Sequence, residues 1–449
     1  MKINPLILSF NYRNEVALLS VCLLLGFVVT GQQIEKLDFE QTVQKGLSQV
    51  PYLESVELNI EKARILEKQA KFEQLPSINF GANHGYNWGQ SIDPFTNQFA
   101  TDRIRTNNFY VRSTWAIFEG LSVRYRIGLS KLSKVDAEKQ LELEQRNYKI
   151  QLAGAYAKLQ LDILSLNMMR EQLNLSRELL RNTRALSDIG RATYIDNSIF
   201  KSLYANDSAA VLMAKNDKEY AVFVLQQMIN SPDKTEQFKE EELDNVIDQL
   251  KIYDNLDLST FPELELAKLQ KEIKRLEYKW SKSAMLPHLY LNSALGTGYS
   301  GNNTELIGTE FIPKPFFVQM DENFYQTAVL TLNIPVFNHL RVRSAIKIAE
   351  VEMTQADLAY DQYFLELNNQ IEQLLVELKN EKENAQALQY AKKANEDAFI
   401  GVKKQFKNGV VNFASYMEAR NRNIQAKLAY NESLAKIFAL SLILDCYFE

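Results

Sequence analysis

The sequence predicts a mostly helical chain carrying four β-strands, laid out as two tandem repeats of one plan. Three observations predict it. First, a 26-residue segment bounded by prolines, PYLESVELNIEKARILEKQAKFEQLP (Pro51 to Pro76), has a counterpart 211 residues on, PELELAKLQKEIKRLEYKWSKSAMLP (Pro262 to Pro287), and both carry apolar residues at helical spacing. Second, each is followed by a stretch that alternates between two kinds of side chain, then by a polar loop and another alternating stretch. Third, 70 residues without proline run from Gly120 to Ile189, and 71 from Asn338 to Asn408, with apolar residues recurring at three and four.

The N-terminus reads as a signal peptide over residues 1–31. Lys2 and Arg13 supply positive charge, and VALLSVCLLLGFVV (Val16 to Val29) is an apolar run of 14 residues, short of the roughly 20 that a spanning helix needs. Small residues before Gln32 place cleavage after Gly31, which implies export. A rival reading lipidates Cys22; Val21 stands against it, where a small residue is wanted.

The first repeat occupies residues 32–230. After its helix, a strand over about 77–89 sets Ile78, Phe80, Ala82, His84, Tyr86 and Trp88 against Asn79, Gly81, Asn83, Gly85, Asn87 and Gly89. A second strand, about 108–118, sets Phe109, Val111, Trp115 and Ile117 against Tyr110, Arg112 and Thr114. The long helix that follows would span roughly 105 Å at 1.5 Å per residue. It ends at Gly190, where a helix C′ position favours glycine. Thr193 is the cap of a returning helix that runs to about Asn230, so the first tip lies near 188–196. An acidic connector over 231–261 (EELDNVIDQ within it) is expected to be exposed.

The second repeat occupies residues 262–449, with strands over about 288–299 and 324–337. Between Phe118 and Phe337 the repeat offset is 219, so the second hairpin carries a loop eight residues longer. The register holds from there to Gly409. Asn412 then caps a helix returning to about Leu444, and the second tip lies near 407–418.

Strand chemistry admits two readings. A small α+β core has one apolar and one solvated face, as alternation provides. Yet the strands also have the length to cross a bilayer at a tilt, about 9–11 residues. Tyr86, Trp88, Trp115 and Tyr299 suit interfacial belts, and the Gly, Asn, Thr and Ser of the opposite face suit a water-filled lumen. Four strands cannot close a barrel and open edges cannot sit in lipid, so the membrane reading requires oligomerisation; three copies would supply 12 strands.

Composition excludes several classes. A net charge of −5 offers no electrostatic footprint for nucleic acid. The three histidines and two cysteines lie too far apart in sequence to suggest a metal site, and no nucleotide-binding or catalytic motif is present, so neither cofactor nor enzyme chemistry is expected.

The paired LP-plus-strand junctions (Leu75-Pro76, Leu286-Pro287), the strand-to-helix junctions AIFEGLSVRYRI and NIPVFNHLRVRSAI, and the tips DIGRATYIDNSIF and KNGVVNFASYMEARN occur in one order, twice. In these segments, across roughly Leu37 to Phe448, the chain resembles the TolC family of outer-membrane efflux proteins. The resemblance implies a homotrimer: a 12-stranded barrel in the outer membrane, continued by a helical tunnel through the periplasm. Tips that gate the channel would dock a periplasmic adaptor, joined to an inner-membrane pump or ABC transporter that supplies the energy. Phe80, Tyr86, Trp88 and Trp115 would meet lipid. By position, the gate acids of the family fall on Ser415, Glu418 and Asp196, and the adaptor-docking landmarks on Gly190 and Gly409. The aromatic of the family's closing bonds falls on Phe406, without a hydroxyl, and their basic partner on Val411, so the resemblance leaves those bonds open in this chain. The alternative is a periplasmic long-helix scaffold or adaptor-like protein without a pore.

Overall fold

The computed structural model describes residues 36–448 except 94, 98, 101–102, 191, 232–235, 249, 252 and 254–257. The expected signal peptide and Cys22 lie outside the described residues.

The first half begins with α1 (Phe39–Gln49) and α2 (Pro51–Phe72). Strands β1 (Ser77–Asn87) and β4 (Ile104–Glu119) follow, and the loop between them holds β2 (Ser91–Ile92) and β3 (Phe99–Ala100). The long helix α3 (Ser122–Asp188) and its return, α4 (Tyr194–Met228), complete the half. The second half runs α5 (Pro262–Ser283), β5 (His288–Ser300), β6 (Thr304–Ile307), β7 (Glu310–Pro313), α6 (Phe316–Glu322), β8 (Tyr325–Asn333), α7 (Arg341–Lys407) and α8 (Phe413–Phe448). Both long helices have 67 residues, about 100 Å each.

Local chemistry accounts for the boundaries. Pro51 and Pro262 open α2 and α5 at the first helical turn, where a missing N–H costs nothing. The strand expected over 324–337 stops at Asn333, since Pro335 has no N–H for a ladder. Each long helix is entered through two left-handed residues, Gly120-Leu121 and His339-Leu340. At Gly120 the left-handed backbone also brings the chain against the Ser283 carbonyl and the Leu286 side chain, leaving no room for a Cβ.

The four main strands form one antiparallel sheet in the order β1-β4-β5-β8. From its base the long helices run away as two hairpins, and α3 packs against α4, α8, α2 and α5. Midway along, Leu152, Tyr156, Leu159 and Ile163 of α3 bury against Leu225 and Ile229, at about 1.5–3 kcal/mol per large side chain. No helix among the described residues is long and apolar enough to cross a membrane.

The connector corrects one expectation: it is not simply exposed. Phe238, Leu243, Val246 and Phe261 are buried along it, and Phe238 forms a parallel bridge with Leu37. Leu243 and Val246 pack beside Leu434 and Ile437 of α8. The Tyr156 hydroxyl, buried in α3, donates to the Lys239 carbonyl and to Glu241. Apolar residues scattered between the acids act as pegs, so the segment binds the helices like a belt while several of its carboxylates stay outside.

Candidate functional site

Register assigns the sheet two faces, because directly opposed residues in antiparallel strands share a side. Phe80 opposes Val111, which opposes Leu295; Trp115 opposes Leu291, which opposes Leu330. These apolar side chains stand open rather than packed: Phe80 is 72% exposed, Trp88 73%, and Trp115 39% with its indole donating to the Gln74 carbonyl at 2.9 Å. Tyr86 lies on the same side and rests near Trp88. On the other face Asn79 opposes Arg112 and Arg112 opposes Ala294; Ser77, Thr114 and Asn292 form a second row. The glycines of this face are seats for rings. A Cβ at Gly81 would strike Tyr110, one at Gly296 would strike Tyr325, and one at Gly298 would strike Phe95.

The edges differ in how they are treated. Strand β8 pairs with β5 only as far as Gly296. Beyond that point α6 takes its place. The buried Gln319 amide accepts from Ser300 N–H at 3.0 Å and donates to the Ser300 carbonyl at 3.1 Å, and Asn323 donates to Gly298 at 2.7 Å. The Ser300 hydroxyl donates to buried Asp93, which also accepts from the Phe95 N–H at 2.9 Å and so ties the two loops together. Among the described residues the outer edges of β1 and β8 receive no such cover: both end the strand order, and every residue of β8 is exposed. A long bare edge is a template for another strand.

At the far ends of the helices, Gly190 (φ 75°) and Gly409 (φ 73°) turn the chain. At the second tip the Gly409 N–H reaches the Phe406 carbonyl and the Val410 N–H reaches Gln405, the paired bonds of a Schellman close. Asp196 completes a capping box: it accepts from the Thr193 N–H at 2.9 Å and hydroxyl at 2.7 Å, while its own N–H donates back to Thr193. Those donors hold its carboxyl below the usual range. Ser415 donates its N–H to the cap Asn412 at 2.9 Å. Glu418 is exposed and accepts from Arg422 at 2.7 Å. Among the described residues these three share no hydrogen bond or ion pair with one another. Val411 is half-buried.

Behind the tips lies a constellation that sequence reasoning missed. Arg420 of α8 clasps Asp207 of α4 with both carboxylate oxygens at 2.7 Å and donates to Gln172 of α3 at 3.2 Å, all three buried. Above it, Phe406 stacks on Tyr416 at 4.9 Å, and Phe200 meets Phe413 edge-on at 5.2 Å. Burial pushes the Tyr416 phenol up to about 12, and its hydroxyl has no partner among the described residues. Lys407 donates to Glu178 at 2.9 Å, joining the two long helices, and holds that carboxyl low. An arginine eleven residues past Gly409 carried no signal, because its partner is 213 positions away. The described residues contain no grouping fit to hold a metal ion.

The chain matches the outer membrane efflux protein family over residues 42–231 and 257–437. No curated protein matches it significantly. Among solved structures it is similar to the channel-forming protein CusC, at 13% identity over 90% of each chain and a TM-score of 0.77. It is also similar to the outer membrane protein VceC of Vibrio cholerae, at 12% identity over 90% of this chain and 94% of that one, with a TM-score of 0.74. A third likeness is to the CmeC outer membrane channel of Campylobacter jejuni, at 14% identity over 91% and 85%, with a TM-score of 0.71.

Proposed function

The chain belongs to the outer membrane efflux protein family, an outer-membrane channel component extending into the periplasm, and on that premise we propose that it works as a homotrimeric, passive export duct of a tripartite efflux pump or a type I secretion system. One observation carries the reading: a four-stranded antiparallel sheet with an open apolar face, a polar face, and two bare edges. Strands alternate in direction across the sheet, so β8 of one copy meets β1 of the next antiparallel, and three copies close a barrel of 12 strands. Phe80, Tyr86, Trp88 and Trp115 then face lipid, and Asn79, Asn83 and Asn87 face water. Fractionation with unboiled gel migration tests it. A heat-sensitive trimer in the outer membrane is expected; a soluble periplasmic monomer would instead support a scaffold without a pore.

The tips serve as gate and docking point. Three Glu418 carboxylates near the axis would form a ring that attracts cations. The exposed Arg422 partner is a weak competitor, since such pairs contribute about 0–1 kcal/mol. Ser415 lines the same turn. Asp196, already engaged by Thr193, holds the first tip's shape more than it feeds the ring. Conductance of a Glu418→Gln channel checks this assignment: reduced cation preference is expected, and unchanged selectivity and blocker sensitivity would remove Glu418 from the gate. Around Gly190 and Gly409, Ile189, Tyr194, Ile195 and Val410 expose apolar surface at the turns, as docking to a periplasmic adaptor requires. The adaptor would join the duct to an inner-membrane pump or ABC transporter. Loss of adaptor capture by a Gly409→Val protein that still trimerises is the expected result.

A further inference from the structure

The rim of the sheet opposite the helices carries a basic feature that the duct does not use. Arg105 opposes Tyr86 in the β1–β4 register and therefore stands on the apolar outer face. Its guanidinium lies 5.1 Å from the ring centre of Tyr299, and that of Arg103 lies 4.8 Å from the ring centre of Tyr86. Both arginines are exposed, and no carboxylate among the described residues forms an ion pair with either. In the loop between β5 and β8, Lys314 is by contrast paired with Glu322 at 2.6 Å.

Height decides what these arginines meet. From Ile78 to Trp88 a strand rising about 3.3 Å per residue, at the usual tilt, climbs about 25 Å, the depth of the apolar band of a barrel. Tyr86 and Trp88 thus sit where hydrocarbon gives way to headgroups, and Arg105 and Arg103 at or just above that level. An arginine held over an aromatic face by its guanidinium carbon still has N–H groups of its fork to offer, and that fork matches phosphate oxygens in pairs. Pinning by the rings also lowers the entropy lost on binding.

We propose that Arg103 and Arg105, seated on Tyr86 and Tyr299, form a binding site for the phosphate-bearing headgroup of an outer-leaflet lipid. The site rests on the barrel reading above, which sets its height and its outward aim. Three copies would place six such cations around the outer rim, where an anionic leaflet surface attracts each of them before any specific bond forms.

The test is native mass spectrometry of the full chain extracted from outer membranes as trimers, with add-back of bisphosphorylated lipid A, dephosphorylated lipid A and inorganic phosphate. Wild type is expected to carry the phosphorylated lipid. An Arg103→Gln/Arg105→Gln trimer should retain roughly tenfold less, the loss of a charge-assisted contact. Arg112→Gln removes the same charge from the opposite face and should retain as much as wild type. Equal retention by the double variant, equal uptake of the dephosphorylated lipid, or a response to inorganic phosphate alone overturns the proposal. The single Arg105→Gln variant reads the same outcome if the double variant assembles poorly. A wild-type chain recovered as soluble monomer would sink the barrel reading itself, a result distinct from a trimer that carries no lipid.

Discussion

Arg420 ties the second hairpin to the first at a buried point. It is 5% exposed and its guanidinium is shared between Asp207 and Gln172. Removing one partner of a buried pair strands the other, at about 3–5 kcal/mol, whereas replacing both with apolar residues of similar volume is often neutral. Arg420→Met is therefore expected to lower the thermal midpoint of the purified protein strongly, and Arg420→Met/Asp207→Leu to recover most of that loss. Equal damage in single and double variants would show that packing volume, not the pair, sets the cost. Tyr416 offers the converse case. Its ring is fully buried but its hydroxyl has no partner among the described residues, so Tyr416→Phe should be neutral or stabilising while Tyr416→Ala costs about 3–5 kcal/mol by the cavity it leaves. Denaturant midpoints of the two variants decide it.

At the scale of elements, the tips and the β5 end carry their own predictions. The Asp196 carboxyl is held low by the Thr193 hydroxyl and N–H, and the Glu178 carboxyl by Lys407. A lowered native value means the stabilisation is fully present above the ordinary carboxylate value, about 4, and is lost as pH falls through the lowered one. Amide exchange over 192–197, corrected for intrinsic rate, should stay slow from neutral pH to about 5 and rise below about 4; Asp196→Asn should abolish most of that pH dependence. At the sheet, Gln319→Ala leaves the buried Ser300 N–H without its acceptor, at about 1–3 kcal/mol, while the Ser300 carbonyl keeps the Asn303 N–H at 3.3 Å. Faster exchange at Ser300 is the expected readout. These two elements also differ in legibility. The caps could be read from Gly190, Thr193, Gly409 and Asn412, because capping is a rule of local spacing. The cover of the β5 edge could not, because a glutamine mimicking a strand looks like any other glutamine until α6 is placed.

At the scale of the whole molecule, the bare β1 and β8 edges carry the prediction. Single cysteines scanned along Ser77–Asn87 against partners along Tyr325–Asn333 should trap covalent oligomers for at least one register, ending at a three-chain ladder on non-reducing gels. Only intrachain products, or chains growing past three, would contradict closure by three copies. The exposed apolar face fits the same reading. A soluble monomer rarely leaves open a patch of the kind formed by the row Phe80, Val111 and Leu295 and the row Trp115, Leu291 and Leu330.

Alternation at period two and recurrence at three and four are local properties, and so the sequence by itself determined the two repeats, the four main strands with their opposed faces, and the two long helices with their glycine turns. It also determined the longer second loop, through an offset that grew by eight. What required the tertiary structure were contacts between residues far apart in the chain, for which no spacing rule exists. The acidic connector gained its buried pegs only once α8 lay beside it. Gly81, Gly296 and Gly298, small on paper, proved to be seats for Tyr110, Tyr325 and Phe95. Arg420 met Asp207 only when α4 and α8 were packed together. A face is written along one strand or one helix, but a partner is chosen by the fold that brings two distant segments within bonding distance.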